Sequence, residues 1–178
     1  MKFILILGLL LSQGPSAREV GRNWHPATFR GITIGKSKRV DMIRLLGQPK
    51  WSRTTPGEGG EHGTNWNNYE RIGEFPGPTN VASDNVTGII TRIDFYPQKL
   101  SQEEAVKHFG RGYVVTRYAF DPCPAHEDEE SIYESPNGPL VSVEYRARGI
   151  AISVGYKEMV TKISYVGGPI GIAKPKCN

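Results

Sequence analysis

Two short stretches of this chain carry the same punctuation, and their recurrence constrains the fold more than any other feature. Ser37 is a helix cap for Lys38 to Leu46, with Val40, Ile43 and Leu46 on one face and Met42 and Leu45 beside it. Gly47 and Pro49 end that run. Ser101-Gln102-Glu103-Glu104 is a capping box that opens a second helix, Gln102 to Phe109, with Ala105, Val106 and Phe109 as its apolar side and Gly110 as its stop. Ser37 and Ser101 lie about 64 residues apart, as do Tyr69-Glu70 and Tyr133-Glu134, and Gly47 and Gly110 lie about 63 apart. Thr91-Arg92-Ile93-Asp94-Phe95 then matches Thr161-Lys162-Ile163-Ser164-Tyr165 at an offset of about 70. The same order at nearly constant spacing reads as an internal duplication, with about six residues inserted in the second copy.

Helices of two or three turns are not stable alone, so each must pack on something. Alternating, β-rich segments supply it: Ile89 to Tyr96, Gly112 to Phe120, Leu140 to Tyr145, Ile150 to Val154 and Met159 to Val166. Arg146-Ala147-Arg148-Gly149 reads as a turn, and Arg53 to Gly63 and Gly73 to Asn85 read as mobile surface segments. The expectation is an α+β chain of two tandem modules, each a short helix on an antiparallel sheet. The first spans 18–98, the second 99–172, and a tail follows at 173–178.

The first 17 residues have the pattern of a secretory signal peptide: Lys2, an apolar run from Phe3 to Leu11, then a small, turn-prone exit ending at Ser16-Ala17. The run is too short for a membrane span, and no other segment approaches one, so no transmembrane segment is expected in the mature chain. The expected location is the periplasm or the secreted fraction. There Cys123 and Cys177 are a candidate disulfide pinning the tail to the body, with two free thiols as the alternative. Asn85-Val86-Thr87 is a glycosylation sequon, meaningful only in a eukaryotic secretory pathway. The formal charge of +4 is mild and unclustered, which argues against nucleic acid as a partner.

Ile34-Gly35-Lys36-Ser37, Val40 and Leu46-Gly47-Gln48-Pro49 together resemble the signature of the small exported modules of the BamE/SmpA outer-membrane lipoproteins. The β-lactamase-inhibitor-protein (BLIP) fold has similar modules, two in tandem. The resemblance implies a short helical segment on an antiparallel sheet, repeated here. Two departures limit it: the chain has no cysteine after the leader to carry a lipid, and two cysteines cannot supply a disulfide in each module.

No catalytic constellation is legible. His25, His62, His108 and His126 have no metal-ligand spacing, no G-x-S-x-G occurs, and Gly35-Lys36-Ser37 lacks the earlier glycine of a phosphate loop. His108, near the end of its helix, suits the helix dipole. No metal or cofactor is expected. The aromatic side chains are the remaining signal. Trp51, just after Pro49, is expected to cover the helix end, whereas Trp24 and Trp66 sit among polar residues with Tyr69 nearby. Trp24, Trp66 and Tyr69 are therefore the candidate protein-binding residues. The reading is a non-enzymatic exported protein that binds another envelope or extracellular protein through a sheet face and aromatic loops. A narrower alternative is an inhibitor of an exported hydrolase; a different one is a small hydrolase using His62 or His126. A binder should show a flat or concave aromatic surface and no enclosed polar pocket. An enzyme should bring a histidine within hydrogen-bond reach of a carboxylate in a cleft.

Overall fold

The structure is a computed structural model, and it describes residues 24–57, 59, 61–118, 134–135, 138–168 and 170. The leader, Cys123, Cys177, His126, Tyr133 and the tail lie outside the described residues.

A two-stranded ribbon comes first, β1 (Thr28–Phe29) and β2 (Ile32–Thr33), followed by helix α1 (Arg39–Leu46). Strands β3 (Trp51–Thr55), β4 (Thr64–Tyr69), β5 (Thr79–Asp84) and β6 (Ile90–Phe95) follow. Helix α2 (Gln102–Phe109) then precedes β7 (Val114–Tyr118), β8 (Glu134–Ser135), β9 (Gly138–Tyr145), β10 (Ile150–Val154) and β11 (Val160–Val166). All the large-sheet strands are antiparallel, in the order β3-β4-β5-β6-β11-β10-β9-β7, with β8 added to β9.

This overturns the expected α+β pair of tandem helix-on-sheet modules. Among the described residues the chain is mostly β with two short α-helices, and strands β3 to β11 form one continuous sheet, apart from the β1-β2 ribbon, because β6 pairs with β11. The order helix-then-strands does recur, and the contacts refine its spacing. Ile90 N donates to Ser37 O and Val160 N to Leu100 O, both at 2.8 Å. Isolated bridges join Lys38 to Ile89 and Ser101 to Met159. Lys38, not Ser37, therefore occupies the place of Ser101. It caps α1, its amide donating to Asp41 Oδ2 at 3.0 Å, while Ser37 Oγ accepts from Thr33 N in the preceding turn. The capping box at α2 forms as expected: Glu104 N donates to Ser101 Oγ at 3.2 Å and Ser101 N to Glu104 Oε2 at 2.9 Å.

The Tyr-Glu correspondence is also corrected. Tyr69 donates its hydroxyl to Gly47 O at 3.1 Å, and the residue that does the same at the other helix end is Tyr145, to Gly110 O at 3.0 Å. Gly47 and Gly110 hold φ of 84° and 80°, the region a side chain disfavours.

The core lies on the helix side of the sheet. Strand alternation puts Val81, Ile93, Phe95, Val143, Tyr145, Ile152, Ile163 and Tyr165 on that face, under Met42 of α1, Ala105 and Phe109 of α2, and Ile32 and Ile34 of the ribbon segment. At about 1.5–3 kcal/mol per fully buried Ile or Met, this face supplies most of the driving force. The apolar face of α1 is turned from the expected one: Met42 is completely buried, while Val40 is 68 % exposed. Thr79–Asp84, expected in a mobile segment, is an interior strand with Val81 and Ser83 buried.

Candidate functional site

Two places bring chemistry-bearing side chains together. The first is the sheet face turned away from the helices. Register puts Arg53, Trp66, Ala82 and Arg92 in one row across β3 to β6, and Trp51, Asn68, Asn80, Asp94 and Ser164 in the adjacent row. The core residues all point the other way. Trp66 is fixed from two sides: its Nε1 donates to Thr55 Oγ1 at 3.3 Å, and the Arg92 guanidinium lies 5.1 Å from its ring centroid. Arg92 Nε sits 2.9 Å from Asp94 Oδ2, an ion pair without hydrogen-bond alignment, and Ser164 Oγ donates to Asp94 Oδ1 at 2.7 Å. Trp51 is 45 % exposed on the edge strand, so it does not cover the end of α1.

Of the sequence candidates, only Trp66 belongs to this face. Tyr69 is buried and tied to Gly47 on the helix side, which removes it from any binding surface. Trp24 is half-buried, before the ribbon, with its Nε1 unpartnered. Trp51, Arg53 and Arg92 were missed. The signal that finds them is the pairing of β3 with β4 and of β5 with β6, which alternation within each strand does not give.

The second place is a cleft of about 190 Å³ on the helix side, lined by Thr28, Phe29, Arg30, Glu74, Phe75, Phe95, His108 and Tyr165. Its rings pack edge to face: Phe29 on Phe95 at 5.0 Å between centroids, Tyr165 on Phe95 at 5.3 Å, His108 on Phe75 at 4.9 Å. His108 Nε2 lies 3.0 Å from Glu74 Oε2, so this histidine near a helix end also holds a carboxylate. Burial first, and then the Glu74 charge, push the Tyr165 hydroxyl up to about 12.

A histidine on a carboxylate in a cleft is the geometry set out for an enzyme, and His108 meets it where His62 and His126 were the candidates. His62 has its own carboxylate, Nδ1 to Asp84 Oδ2 at 2.9 Å, but on exposed hairpin ends. Asp84 also accepts from Val86 N, Thr87 N and Thr87 Oγ1, and these bonds, the Thr87 amide first, lower its carboxyl to about 2. The sequon residue Asn85 is in that exposed turn. Among the described residues, the hydroxyls lining the cleft belong to Thr28 and Tyr165, and no serine or cysteine lines it. Among the described residues no group of three or more His, Cys, Asp or Glu could hold a metal, and no helix is long and apolar enough to cross a membrane.

No family model matches the chain, and no curated protein matches it. A solved structure, that of a DUF4309 family protein (YjgB) from Bacillus subtilis subsp. subtilis str. 168, is similar at 13 % identity with a TM-score of 0.45. The likeness covers 84 % of this chain and 91 % of that one.

Proposed function

We propose that the chain is a non-enzymatic exported protein that binds another envelope or extracellular protein on the helix-free face of its sheet. The observation that carries this reading is the Arg53-Trp66-Ala82-Arg92 row beside the exposed Trp51. Trp and Arg are the side chains that dominate binding energy at protein interfaces. A sheet presents them on a rigid backbone, so the ordering cost of binding is that of the side chains alone. Arg53, beside Trp66, favours an acidic partner surface, while Arg92 is already paired with Asp94, and nothing in the charge pattern favours nucleic acid. The resemblance of residues 34–49 to BamE/SmpA and BLIP modules is consistent with this role. Inhibition of an exported hydrolase is the narrower form of it.

The test is capture of partners from the envelope and extracellular fractions by the mature chain, followed by Kd measurement on the purified partner. Trp66→Ala and Arg53→Glu should each weaken binding by at least about 2 kcal/mol, roughly thirtyfold in Kd. Val40→Ala, on the exposed side of α1, should leave it unchanged. A partner that binds both face variants as tightly as the wild type refutes the assignment. Adding the chain to assays of captured hydrolases separates inhibition from plain docking.

A further inference from the structure

The aromatic cleft lies on the opposite side of the sheet from the docking face, and docking leaves it unused. Its volume of about 190 Å³ is below the roughly 300–1,000 Å³ of drug-sized pockets and equals the share of about six water molecules. Nucleotides and oligosaccharides are too large for it; a molecule the size of a single amino acid is not.

The lining sorts by chemistry. Phe95 and Tyr165 are buried and form an apolar floor, with Phe29 and Phe75 as half-buried walls. Tyr165 lines the cleft and is only 9 % exposed. Its hydroxyl is both a donor and an acceptor, which a ligand in the cleft can engage in place of water. Its pKa is pushed up to about 12, and at neutral pH the hydroxyl is protonated as any tyrosine is. Two opposite charges stand among the lining residues. Glu74 is held by His108 and is 69 % exposed. Arg30 is exposed on the tight turn between β1 and β2, its guanidinium 5.7 Å from the Phe29 ring and in no ion pair. Arg30 and Glu74 both line the cleft and come from different segments, but they do not pair with each other. A carboxylate with one oxygen held by His108, a guanidinium in no ion pair among the described residues, and an apolar floor describe a ligand that carries both charges and one apolar group.

We propose that this cleft binds a small zwitterion of the α-amino-acid class with an apolar side chain. The ammonium pairs with Glu74, the carboxylate with Arg30, and the side chain enters the ring cluster. Tyr165 supplies a hydrogen bond to the polar end, and His108 is a positioning residue that holds Glu74 in the lining.

Titration calorimetry on the full mature chain tests this with L-leucine and L-phenylalanine as probes. The comparison compounds are 4-methylpentanoate, which lacks the ammonium, 3-methylbutylamine, which lacks the carboxylate, and glycine, which lacks the side chain. The two amino acids should bind saturably, and each comparison compound at least about tenfold more weakly. Arg30→Gln and Glu74→Gln are surface changes that leave the fold intact, and each should weaken leucine binding about tenfold. Tyr165→Phe, with unchanged far-UV circular dichroism, should weaken it severalfold. The proposal is overturned if neither amino acid binds at about 10 mM. It is equally overturned if the acid or the amine alone binds as tightly, or if Arg30→Gln and Glu74→Gln leave the affinity unchanged.

Discussion

The two tyrosine tethers offer a quantitative check on how the helices are held. Tyr69→Phe and Tyr145→Phe each delete one hydroxyl and leave the buried ring, so the perturbation is a single hydrogen bond of 3.1 or 3.0 Å to a helix-end carbonyl. The acceptors sit differently from the donors: Gly47 is exposed and Gly110 half-exposed, so water can reach either carbonyl once its partner is gone. The cost is therefore the net value of a bond, about 0.5–1.5 kcal/mol, and not the 1–3 kcal/mol of a stranded buried group. For a chain of this size that lowers Tm by about 2–4 °C per kcal/mol. The tyrosines are five strands apart, roughly 24 Å at the usual spacing, so the double variant should be additive within about 0.5 kcal/mol. Urea unfolding followed by tryptophan fluorescence, with unchanged m-values, reads all four proteins. A loss below about 0.3 kcal/mol at both sites, or a coupling above about 1 kcal/mol, refutes the picture of two independent tethers.

Three further outcomes are expected. Gly149 holds φ of 63° and a Cβ there would lie 2.7 Å from Val166 O, so Gly149→Ala should cost about 1–3 kcal/mol in urea unfolding. Tyr165 has a folded pKa raised to about 12 from 10.0, so its contribution is intact below pH 10 and is lost as pH climbs toward 12. Stability against alkali should fall across that window, and Tyr165→Phe should flatten the fall. Asp84 runs the other way: its pKa is lowered to about 2 from 3.8, so the stability it lends is present above 3.8 and disappears as pH drops through about 2. Asp84→Asn should remove the Asp84 share of the acid limb of the Tm-versus-pH curve and leave the share of Asp41, Glu70 and Glu104, whose carboxyls are also lowered.

What the sequence makes legible here is what local hydrogen bonds decide. The capping box at Ser101, the glycine stops at 47 and 110, the turn at Gly149 and the strands ending at Phe95 and Val166 all depend on neighbours a few residues away. Strands β4 and β5 were not legible. Thr64–Tyr69 reads TNWNNY and Thr79–Asp84 reads TNVASD, with few apolar residues to alternate. Buried polar groups replace them: Asn67, fully buried, donates to Val81 O and accepts from Ser52 and Arg39. The union of β6 with β11 spans 70 residues of sequence, and so does not show in any local pattern. Glu74, in a Gly- and Pro-rich segment, gives no sign that His108 will reach it, and the same is true of Tyr145 as the counterpart of Tyr69.

The pairing of Asp94 with Ser164 has a consequence for how such a sheet can be assembled. The flanking pairs, Ile93 with Tyr165 and Phe95 with Ile163, exchange places about that position, so Asp94 stands on a local twofold axis opposite Ser164. Two separate, identical copies joined along this strand would put each residue on the axis against itself, as in any isologous contact. Here that would set one buried carboxylate against another, and like charges directly opposed across a strand pair repel. Within one polypeptide the two positions on the axis are free to differ. One keeps the acid, and the other carries the hydroxyl that donates to it at 2.7 Å. A fragment ending after β6 would therefore carry an edge that fits its own copy in shape but not in charge.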